Sequence, residues 1–314
     1  MLKTLWRGSA PLTVTGLLML AALAVALVGL AIDPRLITGA PAWLKPAKFA
    51  VSVGIYTLTL AWIFSLIPEW TRTRRIVGWT TAVTLVLEVV IIDLQAFRGT
   101  TSHFNTSTIL DAVLFSIMGT AIVVQTFATI WVAVALWRHR FADAALGWAL
   151  RLGVTLTIVG AMTGGLMTQP TRDQLAAARA GQGMAVAGAH TVGGPDGGPG
   201  LPGAGWSTEH GDLRVPHFVG LHAMQALPIL ALVMSRRRLR DAVRVRLSVI
   251  AAASYVTLFA MLLMQALRGQ SVLAPDAVTI ALLGAWAFTT AVAAAAAAWP
   301  SFFSRRGAPL WMSA

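Results

Sequence analysis

The 314-residue chain contains no cysteine. Disulfides, thiolate metal ligands and iron–sulfur clusters are therefore excluded. Charge is scarce as well: charged residues make up 11% of the chain, with 12 acids against 24 bases. Asp196-Gly-Gly lacks the alternating acids of a calcium loop. No Walker loop, dinucleotide fingerprint, zincin helix or hydrolase elbow is present. Polar surface for a soluble domain is missing too, since 57% of the residues are hydrophobic and the mean hydropathy is +0.73.

What fills the chain instead is a series of apolar runs of about 20 residues, the length a bilayer core demands. Eight are expected, near Pro11–Ile32, Phe49–Ile67, Ile76–Phe97, Ile109–Trp137, Ala145–Met167, Phe218–Met234, Leu247–Leu267 and Val278–Trp299. The basic start followed by an apolar stretch at Met1–Ile32 reads as a retained first span, because no small-residue cleavage site precedes a polar region. With the N-terminus placed in the cytoplasm, sixteen of the 24 Lys and Arg fall on the inner side, including Arg72, Arg74, Arg75, Arg138, Arg140, the arginines from Arg236 to Arg246, Arg305 and Arg306. That bias predicts a multi-pass protein of the plasma (inner) membrane with both termini cytoplasmic. A basic rim facing anionic lipid accounts for the net charge of +12, so membrane lipid is the expected partner and nucleic acid is not. Trp43, Trp70, Trp79, Trp137 and Trp299 near span ends fit an aromatic belt.

The chain also echoes itself. Gln95-Ala-Phe-Arg98-Gly99 returns as Gln265-Ala-Leu-Arg268-Gly269, each closing an apolar run ahead of an Asp-Ala-Val at Asp111 or Asp276. Leu44-Lys-Pro-Ala-Lys48-Phe49 likewise matches Leu213-Arg-Val-Pro-His217-Phe218. The expected fold is thus all-α and transmembrane, eight helices in two tandem four-helix repeats, 1–140 and 141–314. A long outer loop, 168–214, interrupts the second repeat. Thr171-Arg-Asp-Gln174 predicts a capping box and a short surface helix, and the glycine-rich run to Trp206 predicts turns. Loops of this length are lids or disorder; Trp206, His210 and Asp212 favour a lid.

Function is sought where the two copies differ. Glu88 and Asp93 match Leu258 and Leu263, whereas His217 and His222 match Lys48 and Val53. One half brings acids and the other imidazoles. Glu88 lies roughly 15 Å below Arg98 along its helix and Asp93 roughly 7 Å; His222 lies about 7 Å below His217 and Gln225 about 12 Å. Charged groups at that depth face a bundle interior or cavity. Gln95 shares the face of Glu88, whereas Asp93 is turned away by about 140°. His217 and His222, five apart, cannot chelate one ion as an i, i+4 pair would. The shared Gln95, Arg98, Gln265 and Arg268 suit a scaffold, with each arginine capping helix-end carbonyls. His103 sits in a polar loop, expected to be solvent-accessible, where Ser107 or Thr108 caps the next span. His190, His210 and Asp212 lie beside the glycine-rich loop.

Imidazole and carboxylate together suit haem iron, non-haem iron, copper or zinc. The leading expectation is a metal- or haem-binding membrane protein, an oxidoreductase among the options. Glu88, His103, His217 and His222 are its candidate metal ligands, the three histidines its haem contacts, and Glu88, Asp93 and His222 its catalytic groups. Two alternatives stay open. One is a proton-coupled transporter or channel, opposed by an inner half with few polar residues beyond Thr, Ser and Gln125. The other is a metal-free lipid-modifying enzyme with a His222–Glu88 acid–base pair and the loop as lid. The substrate is a small molecule or a lipid.

Trp43-Leu-Lys-Pro-Ala-Lys-Phe-Ala-Val-Ser, Arg98-Gly-Thr-Thr-Ser-His-Phe-Asn and Gly211-Asp-Leu-Arg-Val-Pro-His-Phe-Val-Gly-Leu-His-Ala-Met-Gln resemble bacterial multi-pass membrane proteins with no attached activity. The plan of eight spans, two repeats and outer histidines is also similar to haem A synthase. That family pairs histidines in both halves and often carries an outer cysteine pair. Here the first-half spans hold no histidine and cysteine is absent, so its haem sites are not carried over.

Overall fold

A computed structural model describes residues 1–237 and 239–303, with side chains through Trp299. Arg238, Arg305 and Arg306 of the basic inner rim lie outside the described residues. The apolar runs all become helix: α1 (Leu2–Gly8), α2 (Ala10–Ile32), α3 (Leu44–Ser65), α4 (Thr71–Arg98), α5 (Ile109–Arg138) and α6 (Ala144–Met167). The second half continues with α7 (Arg172–Arg179), α8 (Arg214–Leu221), α9 (Ala223–Ser235), α10 (Asp241–Leu267) and α11 (Ala277–Phe303). Four two-residue strands pair antiparallel: β1 (Leu36–Ile37) with β2 (Ala40–Pro41), and β3 (Thr191–Val192) with β4 (Gly211–Asp212). Seven helices are long and apolar enough to cross a membrane, and α8 with α9 makes an eighth span if that bent pair counts as one. This is the architecture of a multi-pass membrane protein.

The helix ends follow local chemistry. Thr108, rather than Ser107, caps α5 by accepting from the Asp111 amide, and Asp143 caps α6 by accepting from Leu146. Thr171 and Gln174 form the expected capping box, although α7 stops at Arg179. Gly99 closes α4 at φ 73°, a left-handed geometry that glycine adopts without strain, and Gly269 repeats it after α10.

The sixth apolar run is not one straight helix. It bends by 44° at His222, between α8 and α9. Neighbouring side chains bond the backbone there: Thr157 donates to the Leu221 carbonyl at 3.1 Å and accepts from the Met224 amide, while Tyr255 donates to the Val219 carbonyl at 2.6 Å. A break in a span is tolerated where such groups are bonded from adjacent helices. Close packing holds it in place, since a Cβ on Gly160 of α6 would stand 2.4 Å from Gly220 of α8.

The largest core cluster lies where the halves meet, joining Leu60 and Phe64 of α3, Val132 and Leu136 of α5, Leu150 and Val154 of α6, and Met224 of α9. At one end of the bundle lie the long loop and the Arg98 and Arg268 corners, here termed the loop face. The opposite end, with Arg74, Arg151 and Arg244, is the arginine face.

Candidate functional site

Glu88 is 2% exposed, one of the few acids buried in the bundle, and its position in α4 sets the site. His103 reaches down to it from the α4–α5 loop, with Nε2 3.4 Å from Glu88 Oε1. That is ion-pair range, longer than a full N–H···O bond of about 2.9 Å. The other ring nitrogen, Nδ1, lies 3.0 Å from Lys45 Nζ at the head of α3 and 3.1 Å from Ser102 Oγ. With Lys45 as an ammonium, which only donates, Nδ1 accepts and the ring proton sits on Nε2, facing the carboxylate. Lys45, His103 and Glu88 thus stand in one line, and in that state an ammonium and a carboxylate at its two ends balance each other across a neutral imidazole.

The His103 side chain, expected in an accessible loop, is 23% exposed and packs inward. Phe49 lies against its ring at 5.7 Å between centroids and Phe104 at 6.1 Å. Burial, and then the nearby charges of Lys45, His190 and His217, hold its pKa well below 6.5. His190 is also lowered, mainly by burial, although its Nδ1 lies 3.0 Å from Asp196 Oδ2. Asp196 is lowered in turn: burial opposes its charge, but the His190 contacts and the Thr191 amide outweigh that. The turn residue Asp196 is a loop anchor.

The long loop closes over this cluster as an ordered lid. Phe104 accepts from the Ala187 amide at 2.8 Å, and Thr106 donates to Met184 at 2.6 Å. Lys48 donates to the Ala204 carbonyl at 2.9 Å, and Ser271 donates to Ser207 at 3.2 Å. The lid is therefore tied to both halves. His210 stacks against Gly194, where a Cβ would meet its ring at 2.3 Å. Asp212 accepts from the Ser207 amide at 2.8 Å and pairs with Arg214 at 2.6 Å, fixing the lid's return to α8. Both residues shape the lid rather than reaching Glu88.

The remaining sequence candidates divide. Asp93, turned away from Glu88 as the helix period requires, is half-buried with no hydrogen-bond or ion-pair partner among the described residues. His217 lies 2.9 Å through Nδ1 from the Gly160 carbonyl, so that nitrogen donates; Thr163 stands 3.0 Å away. His222, at the α8–α9 bend, packs on Phe218 with ring centroids 4.3 Å apart. Gln225 donates weakly to Thr59 at 3.4 Å, linking the halves.

The two Gln-Arg corners are built alike. Gln95 Nε2 donates to the Thr101 carbonyl, and Gln265 Nε2 donates to Ser271, six residues on in each case. Arg98 pairs with Asp111 at 2.6 Å, and Arg268 pairs with Asp276. Each arginine thus clamps the acid that opens the next span instead of capping carbonyls.

Among the described residues, no three of His, Asp and Glu stand together as a metal ligand set. Lys45 Nζ takes the Nδ1 side of His103, and the Gly160 carbonyl takes Nδ1 of His217. The chain matches no protein-family model, no curated protein and no solved structure.

Nothing in the sequence marks Ser102 as a site residue, and Lys45 stands out only within the Leu44-Lys-Pro-Ala-Lys48 echo.

Proposed function

We propose that this is a proton-coupled membrane transporter in which Glu88 carries the proton and His103 exchanges it. The observation that carries the reading is the Lys45–His103–Glu88 line beneath the lid, with Glu88 buried and its second carboxylate oxygen, Oε2, unpartnered among the described residues. A buried carboxylate with an open lone pair is poised to take up a proton, and a neutral imidazole beside it can pass one on. When Glu88 is protonated the ion pair across His103 is lost. Lys45 is then left uncompensated, so protonation is coupled to rearrangement of the α3 head and of the lid bound to Lys48.

The same reading takes the bent α8–α9 pair as one span, giving eight spans in two tandem four-helix units, residues 1–140 and 141–314. The alike Gln95 and Gln265 corners support that division, and so does the core at the meeting of the halves. The loop face is the outer side and the arginine face the cytoplasmic one. Solute would bind between the units beneath the lid.

The test is proton uptake into proteoliposomes under an imposed potential, followed with a trapped pH dye. Wild type is expected to carry protons, and Glu88→Gln to lose about a hundredfold or more. Undiminished flux in Glu88→Gln would overturn the reading. So would a Soret band or stoichiometric iron, copper or zinc in the purified protein that is lost in His222→Ala.

A further inference from the structure

On the arginine-face side of Glu88, small hydroxyls follow one another along α4. Thr84 lies one turn away and Thr81 nearly one turn further. At the next step Gly78 leaves room for Ser9 from the α1–α2 junction: a Cβ on Gly78 would come 2.7 Å from Ser9 Oγ. The helix rise places these three positions about 6, 10 and 15 Å from Glu88. Ser9 Oγ, Thr81 Oγ1 and Glu88 Oε2 are all buried with no hydrogen-bond partner among the described residues. Threonines in apolar helices ordinarily bond the carbonyl four residues back, as Thr13, Thr57 and Thr84 do here. Thr81 does not.

Two unpartnered polar atoms on α4, Thr81 Oγ1 and Glu88 Oε2, and a third packed against it from the α1–α2 junction, Ser9 Oγ, point to a common occupant. Buried polar atoms of this kind are satisfied by ordered water. The backbone rises about 4.5–6 Å between successive positions, and one bridging water spans two hydrogen bonds of about 2.8 Å. Between Thr81 and Glu88 the bonded group of Thr84, Gln125 and Tyr56 supplies further polar atoms, with Thr84 donating to Gln125 Oε1 at 3.0 Å and Gln125 Nε2 donating to Tyr56 at 3.1 Å. At the far end, Arg74 donates to the Gly8 carbonyl at 3.1 Å, so Ser9 adjoins the arginine face.

We propose that a chain of bound waters runs along this face of α4 from Ser9 to Glu88 and delivers protons to the carboxylate from the arginine face. The inference rests on the proton-coupled reading and adds the second route that such a cycle needs, since the lid closes the other. In each step an oxygen accepts one proton through a lone pair and releases another to its neighbour. At the end one O–H bond forms on Glu88 while every relay oxygen returns to its starting state. Only O–H bonds form and break, and no electron moves. The charged or titratable neighbours of Glu88 are His103 from the loop and Lys45 from α3. Below it the relays are neutral hydroxyls and water.

The experiment is infrared detection of Glu88 protonation in oriented proteoliposomes after a pH jump on one side, the band being assigned by its loss in Glu88→Gln. The variant is Ser9→Ala with Thr81→Val, which removes two hydroxyls without a partner among the described residues. The response to a jump at the arginine face is expected to slow by about tenfold or more, with the response at the loop face unchanged. Thr81→Ser should restore most of the rate when Ser9 is kept. An unchanged arginine-face response in the double variant would overturn the water chain, as would equal slowing from both faces. If wild-type Glu88 responds from neither face, it is the proton-transfer reading of Glu88 that falls.

Discussion

Helices α4 and α10 end in the same corner yet lead different lives. Each closes with a Gln-Ala-x-Arg-Gly turn, a glycine at φ 73° and an arginine clamped to the next acid. Over its most apolar stretch α4 is 56% buried, whereas α10 is 17% buried. Glu88 lies in the buried helix and its counterpart Leu258 in the exposed one. A shared frame therefore holds both helices, and burial decides which can host a carboxylate. An acid in α10 would have no Lys45 and no His103 to answer it.

Exchanging the two residues breaks the comparison most severely. Glu88→Leu is expected to abolish proton uptake, a loss of about a hundredfold or more in the dye assay. Leu258→Glu should restore nothing and should cost about 3 kcal/mol of stability, read from thermal unfolding in detergent. If Leu258→Glu rescued Glu88→Leu, the two helices would be interchangeable and the asymmetry without meaning.

Packing gives the next contrast. Gly220→Ala drives a methyl into Gly160 of α6 at 2.4 Å and should destabilise by about 1–3 kcal/mol. Gly54→Ala in α3 meets Met19 at an ordinary 3.4 Å, and a change within about 0.5 kcal/mol is expected. Equal melting temperatures for the two variants would contradict the close α6–α8 crossing.

The corners themselves separate on a finer scale. Gln95 Nε2 donates to Asp111 at 2.8 Å as well as to Thr101, whereas Gln265 Nε2 donates, among the described residues, to Ser271 alone. Gln95→Leu should therefore cost about 2 kcal/mol, because it leaves a buried charged acceptor short of a donor, and Gln265→Leu about 1 kcal/mol. The same melting experiment ranks them.

Acid should act on the lid in a graded way. His103 and His190 are held below their unfolded value of 6.5, so the unfolded lid binds protons that the folded lid does not. Lid stability is then full above pH 6.5 and falls as pH drops through and below it. Asp196, lowered from 3.8, adds a contribution that is kept above that value and lost at stronger acid. Amide exchange over residues 168–213 should speed up from pH 7.5 to 5.5. Exchange that slows, after correction for intrinsic rates, would reverse the sign.

Much of this frame can be read from the chain. The eight apolar runs, the Thr171 capping box and the buried face shared by Glu88 and Gln95 follow from length, capping chemistry and helical period. The bend at His222 does not, because it depends on Thr157 and Tyr255 from other helices bonding the backbone. A polar loop normally stays in solvent, so the sequence predicts an accessible His103; only the fold shows the loop turning inward onto Glu88. Lys45 stands in the sequence only within the Leu44-Lys-Pro-Ala-Lys48 echo, and its contact with His103 appears only in the fold. Ser9 and Thr81 carry no signal, since a small hydroxyl in an apolar helix normally satisfies itself on its own backbone. Their lack of a partner exists only in three dimensions.

The central claim is that Glu88, His103 and Lys45 form one proton-carrying relay. Nitrogen NMR of the histidine-labelled protein tests it most directly, with six histidines to resolve and His103→Gln to assign the signal. The account predicts a neutral His103 at pH 7, protonated on Nε2 and accepting on Nδ1, with a signal that moves in both Glu88→Gln and Lys45→Met. A charged imidazolium, a proton on Nδ1, or a signal indifferent to both substitutions would contradict it.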